Sequence, residues 1–198
     1  MQTKKVQNSW ALYDWANSVY SLVITTTIFP IFYNAMTTVR EEDGTLISDV
    51  VTFWGKEFLN TQLYSYVLAT SFLVIIFLSP LLSGMADYAG KKLSFMKIFC
   101  YAGAAGCASM FFFNPAHLEW SMASLFLANL GFWGSLGFYN AYLPEIAPPE
   151  EHDKLGARGY VMGYIGSVLL LLICLAMIMG VGNHLTKWAF VLVGVWWV

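Results

Sequence analysis

The sequence predicts an all-α, polytopic membrane protein, and three observations carry that prediction. Of its 198 residues 58% are hydrophobic and only 11% are charged, less than half the ~25% charge that covers a typical soluble domain. The charges cluster, leaving long apolar runs between them. Runs of about 18 or more such residues are the length of membrane-crossing helices. The formal net charge of -2 offers no electrostatic footprint for nucleic acid, so the expected surroundings are a lipid bilayer and a small-molecule substrate.

The first span is expected over 9–36, with Pro30 kinking its far end. Lys4 and Lys5 precede it as they would a signal peptide, but the run is too long, contains Asp14 and Asn17, and lacks a small-residue cleavage site. A polar, acidic loop is expected over 37–60. Within it VVTFWGKEFL reads as a partly amphipathic stretch with Trp54 as an interfacial anchor. The second span is expected over 61–85 and includes Pro80, and a polar turn from Asp87 to Lys92 leads to the third over 93–113.

A turn at Asn114, Pro115 and His117 precedes the fourth span, 120–143, which Pro144 stops. A second polar loop fills 145–158, and the fifth span is expected over 159–181. The last segment, 187–198, would be ~18 Å of helix, too short for a ~30 Å hydrocarbon core. The expectation is therefore a sixth helix that is incomplete. Seven Lys and Arg (Lys4, Lys5, Lys91, Lys92, Lys97, Lys154, Arg158) fall on one side and three (Arg40, Lys56, Lys187) on the other. That asymmetry places the N-terminus, the 87–92 turn and the 145–158 loop in the cytoplasm. Cys100, Cys107 and Cys174 lie in apolar stretches, where packing is their ordinary role.

Asp14 is the acid that needs explaining. At ~100° per residue, Asp14, Asn17, Ser18, Ser21 and Thr25 share one face of the first helix. An ionised group at membrane depth costs at least ~2.5–3.5 kcal/mol, so it normally faces a bundle interior or an aqueous cavity. The stripe reads as a translocation pathway in which Asp14 accepts a proton or partners a cation. Equally, Asp14 could be hydrated near the cytoplasmic interface, or pair with Arg158 to hold helices together. On the fourth span Asn129, Trp133, Leu136 and Asn140 share a face, suiting either interhelical hydrogen bonds or substrate contact. On the fifth, Gly156, Gly159, Gly163, Gly166 and Ser167 form a small-residue side suited to close helix packing.

Two other classes compete with a transporter. A non-transporting scaffold or receptor would use the glycine side and the acidic loop for partners. An intramembrane enzyme has little support: His117, His152 and His184 are dispersed, and neither H-E-x-x-H nor G-x-S-x-G occurs. No metal or cofactor is called for.

SGMADYAGKK, Ser83 to Lys92, resembles the loop between the second and third helices of the major facilitator superfamily, G-x-x-x-D-x-x-G-R-[KR]. Asp87, Gly90, Lys91 and Lys92 match, with Lys for Arg, while Ser83 stands at the usual glycine and Tyr88 at a frequent Arg. WALYDWANSVYS (Trp10 to Ser21) and NAYLPEIAPPEEHDKLGARGYVMGYIGS (Asn140 to Ser167) narrow the resemblance to the vacuole-effluxer branch. That branch includes bacterial proteins and the autophagy-related vacuolar amino-acid exporter of yeast. The resemblance implies twelve helices in two six-helix halves, alternating access, and efflux of small solutes. On this basis the chain is expected to be the N-terminal six-helix bundle, its sixth helix truncated, with a C-terminal six-helix half as partner and the cell (inner) membrane as location. Asp87 and Lys91 would belong to a cytoplasmic charge network holding the outward-open state, which Arg158, Glu145 and Glu150 would join. One departure is that no Pro lies between Gly156 and Val181, so the antiporter-type glycine–proline motif is missing and drug export is not assigned.

Overall fold

The computed structural model describes residues 4–198, and 84% of it is helical. The first span is one continuous rod of three pieces: α1 (Lys4–Val19), a π-helical stretch (Tyr20–Ile28) and α2 (Phe29–Thr37). After an extramembrane insert come α3 (Asn60–Ala89), α4 (Lys92–Ser109), α5 (Leu118–Ala141), the single turn α6 (Leu143–Ile146), α7 (His152–Val181) and α8 (Thr186–Trp197). Four helical runs, Lys4–Thr37, Asn60–Ala89, Lys92–Phe112 and Pro149–Val181, are long and apolar enough to cross a membrane.

The π stretch explains what Pro30 does. Proline has no N–H to give the preceding turn, and its ring crowds the carbonyl four residues back. Here the chain widens to i→i+5 spacing just before Pro30. Thr26 and Thr27 donate their hydroxyls to the carbonyls five residues back, Ser21 at 2.9 Å and Leu22 at 2.8 Å. Tyr64 of α3 donates to the Thr25 carbonyl at 2.9 Å. The rod therefore stays helical through the site where a kink is expected.

The 37–60 segment is built as two β-hairpins. β1 (Val39–Arg40) pairs with β2 (Leu46–Ser48), and β3 (Val50–Phe53) pairs with β4 (Lys56–Leu59). In the second, Val51 faces Phe58 and both are half-buried, while Val50 and Thr52 are exposed. This is the period-two alternation of a strand. Trp54 and Gly55 make the two-residue turn with φ of 48° and 72°, the positive values that such hairpin turns require. In the first hairpin Asp43 accepts from the Thr45 backbone N–H at 2.8 Å, which lowers its carboxyl below the usual range. The insert is cinched at its base: Asn60 Nδ2 donates to the hydroxyls of Thr37 and Thr38, each at 3.1 Å.

Packing follows small residues. A Cβ on Gly131 would collide with the Gly103 backbone, and one on Gly134 with the Phe99 ring, so α4 and α5 lie backbone to backbone. α1 packs chiefly on α7, and α4 also on α8. The core between them is aromatic, centred on Tyr20, Phe29, Phe113, Phe190 and Trp197, all at most 2% exposed. The three cysteines are buried and unpaired within this packing. α3 is the outlier, touching α5 and leaving most of its apolar surface bare.

Candidate functional site

The site is built on α1. Trp10 stacks on Tyr139 of α5, with centroids 4.1 Å apart and planes 8° from parallel, and donates its indole N–H to the Tyr139 carbonyl at 2.9 Å. This clamp fixes α1 against α5 one turn before Asp14. Asp14 is 6% exposed, and its Oδ1 accepts the Ser18 hydroxyl at 2.7 Å. The helix on its other side is α7, which presents glycines. A Cβ on Gly163 would lie 2.6 Å from Ser18 Oγ and 3.1 Å from Asp14 Oδ2, and one on Gly159 2.7 Å from the Tyr139 hydroxyl. Glycine is thus required where α7 passes the carboxylate.

Between α1, α5 and α7 a cavity of about 500 Å³ opens, within the size range of small-molecule sites. Asp14, Ser18, Ser21 and Asn140 line it, as does Leu136. The remaining stripe residues lie elsewhere. Thr25 is replaced in the wall by Thr26, because the wider π turns carry the cavity-facing position one residue further along the chain. Asn17 points into the protein: it is fully buried, and its side-chain carbonyl accepts from Trp197 Nε1 at 2.7 Å, Ser135 Oγ at 3.1 Å and the Tyr13 hydroxyl at 3.4 Å. It joins α1, α5 and α8. Asn129 also serves packing, donating to Ser71 of α3, and Trp133 lies beside Phe72 of α3 with centroids 5.3 Å apart.

Of the small side of α7, Gly159, Gly163 and Gly166 touch α1, whereas Gly156 has open space where a Cβ would go. Tyr139, Tyr160 and Tyr164 complete the cavity's aromatic wall. Their part was not read from the sequence, although Tyr160 and Tyr164 stand one turn apart on the fifth helix.

At the helix ends below the cavity, α3 stops at Gly90, whose φ of 62° allows the left-handed turn. Gly90 N–H donates to the Asp87 carbonyl and Lys91 N–H to the Ala86 carbonyl, at 3.2 and 3.0 Å, the paired bonds of a Schellman cap. That geometry sends Lys91 outward and turns Lys92 inward. Lys92 Nζ is 2.8 Å from Asp87 Oδ1 and 2.5 Å from Glu145 Oε1. The network expected around Lys91 is therefore centred on Lys92. Arg158 donates to Asn8 Oδ1 at 2.6 Å, and among the described residues neither it nor Glu150 forms an ion pair. The alternative pairing of Arg158 with Asp14 is not formed.

A multi-helix membrane chain with one acid on a cavity wall, and a charged turn cap between its second and third helical runs, has the build of a solute transporter of the major facilitator type. The comparisons agree and are more specific. The family described as "Vacuole effluxer Atg22 like" matches residues 2–198, and the chain belongs to it. It is 36% identical over 177 residues to the uncharacterized MFS-type transporter YxiO of Bacillus subtilis (strain 168), an alignment covering 88% of this chain. The chain spans 38% of that relative's length. No solved structure matches it. The protein is thus an integral membrane protein of a transporter family.

Proposed function

We propose that the chain forms the N-terminal six-helix half of a secondary active transporter that exports a small solute by alternating access. The observation that carries this reading is Asp14. The carboxylate within the first apolar rod faces a cavity of about 500 Å³ and not an ion-pair partner. A group so placed is costly unless function retains it. In this reading α1, α5 and α7 supply one wall of the pathway and a second six-helix half supplies the other. Asp14 takes up and releases the coupling proton as the cavity changes sides. The Lys92–Asp87–Glu145 cluster sits at the cytoplasmic mouth and closes it in the outward-open state. The N-terminus and the 145–158 segment lie in the cytoplasm of a bacterial-type inner membrane, with the two hairpins outside.

The test is flux through proteoliposomes of the full-length protein under an imposed pH gradient. Asp14→Asn abolishes proton-driven accumulation while leaving solute exchange measurable. Wild-type flux in that variant, with its proton dependence intact, would remove Asp14 from the mechanism.

A further inference from the structure

We propose that a slot between the second hairpin, α3 and α5 holds one phosphatidylethanolamine molecule from the leaflet on the hairpin side. Its phosphate rests on Lys56, its ammonium on Glu119, and one acyl chain lies along α3. This goes beyond the transport reading and needs only that α3 crosses a bilayer, as its length and composition allow. The slot has a volume of about 760 Å³, larger than the cavity at Asp14 and within the range of small-molecule sites. β3 and β4 roof it, with α3 on one side and α5 on the other.

Its chemistry is graded from top to bottom. The wall runs from Leu63 to Thr70 on α3 and from Glu119 to Phe126 on α5, ~10 Å of helix in each case. Below the roof the surface is apolar, made by Phe53, Phe58, Leu63, Val67, Met122 and Phe126. At the lower end the Thr70 hydroxyl is spent on the Tyr66 carbonyl, at 2.7 Å, so a polar solute would find no partner there. Tyr66, Thr70 and Ala123 are exposed, which leaves the flank open for a chain entering sideways from the bilayer. An acyl chain gains little by that move, because lipid and an apolar wall are alike. Selectivity therefore rests on the headgroup.

Both charged residues of the slot sit at its roof. Lys56 opens β4 and Glu119 lies in the first turn of α5. Glu119 Oε1 accepts the Trp54 backbone N–H at 3.1 Å. The carboxyl is held below the usual range by its own backbone N–H and by that of Trp54. Among the described residues neither Lys56 nor Glu119 forms an ion pair. A cation and an anion thus stand over one apolar slot without neutralising each other, the complement of a zwitterion with a tail. The depth also fits. Trp54 and Trp120 are each 78% exposed, and exposed indoles settle at the level of the headgroups. An anionic headgroup would satisfy Lys56 but meet repulsion from Glu119. Choline offers no N–H, whereas a primary ammonium brings three donors to the carboxylate.

Full-length protein stripped of lipid in detergent is titrated with phosphatidylethanolamine, phosphatidylcholine and phosphatidylglycerol, all with oleoyl chains, and native mass spectrometry counts the bound copies. A phosphatidylethanolamine with a diazirine in one chain then locates its site by crosslinking. Phosphatidylethanolamine is expected to bind about threefold to tenfold more tightly than the other two and to label the α3 and α5 peptides that border the slot. Glu119→Gln keeps an acceptor for the Trp54 N–H and should erase that preference. Lys56→Gln removes a side chain that holds nothing in the fold, and should weaken both zwitterionic lipids alike by about twofold to fivefold. Ala123→Trp, at an exposed position, fills the slot and should abolish the crosslink without lowering the unfolding midpoint. Phosphatidylglycerol binding as tight as phosphatidylethanolamine, an unchanged preference in Glu119→Gln, or crosslinks that avoid the slot would each overturn the assignment. So would a slot closed to every lipid, the result expected if the transporter's second half covers it. None of these readouts depends on flux, so the transport reading stands or falls separately.

Discussion

Gly163 of α7 lies directly against Asp14 of α1: a methyl group placed on it would sit 3.1 Å from the carboxylate and 2.6 Å from the Ser18 hydroxyl that holds it. The contact between the two helices and the setting of the carboxylate are therefore one structural problem.

Gly163→Ala is expected to push Ser18 off Asp14 and loosen α1 from α7, costing about 1–3 kcal/mol as overpacking does. Gly156→Ala on the same helix meets nothing within 4 Å. Thermal unfolding in detergent should separate them, with a lower midpoint for the first and an unchanged or higher one for the second. Equal midpoints would mean the helices yield at this contact.

Asp14 and Asn17 should part company in function. Asn17→Ala leaves the buried Trp197 Nε1 without its acceptor, at about 1–3 kcal/mol, while Ser135 keeps its bond to the Phe132 carbonyl. Asp14→Asn keeps a hydrogen-bonding group and removes a charge that is costly at depth. Unfolding midpoints and flux, measured together, should show a destabilised variant that still accumulates solute under a pH gradient and a stable one that exchanges solute but does not accumulate it. Loss of flux in a fully stable Asn17→Ala would return Asn17 to the pathway.

The lysines of the turn are expected to differ. Lys92→Ala frees Asp87 and Glu145 together, whereas Lys91→Ala removes a side chain that holds neither. Partly exposed pairs are worth only ~0.2–1 kcal/mol, so cysteine accessibility on the two sides should shift by no more than about fivefold in the first. The shift should shrink at high salt and be absent from the second.

Register within the π stretch is open to chemical labelling. Thr26→Cys should react with a small water-soluble thiol reagent entering the cavity, and Thr25→Cys should be protected. The reverse order would describe an unbroken α-helix through Tyr20–Ile28.

Much of this was legible in the sequence, because apolar run length and charge clustering report directly on the bilayer. Asp14, Ser18, Ser21 and Asn140 reach the cavity as helical spacing suggests. Thr25 does not, since a fixed 100° step cannot anticipate where a helix widens. Neither hairpin was legible: VVTFWGKEFL reads as a partly amphipathic stretch, and the alternation in VVTF and the Trp54–Gly55 turn that form the second hairpin are weak signals in so short a segment. That Lys92 and not Lys91 turns inward depends on a left-handed Gly90, and that Asn17 faces Trp197 depends on where α8 packs. Both are tertiary facts to which helical spacing within one span is blind.

The three hydroxyl and amide groups of Thr37, Thr38 and Asn60 close the ring from which both hairpins hang. The second hairpin also leans on the rods: the Trp54 backbone N–H donates to Glu119 Oε1 of α5 at 3.1 Å, and Phe58 lies against Tyr66 of α3 with ring centroids 6.2 Å apart. The first hairpin ends at Gly44, whose surroundings are open. An affinity tag spliced at that tip would leave the membrane-embedded machinery as it was, whereas an exchange of the second hairpin would reach α3 and α5. The outer face is therefore free to vary at one hairpin and tied to the helices at the other.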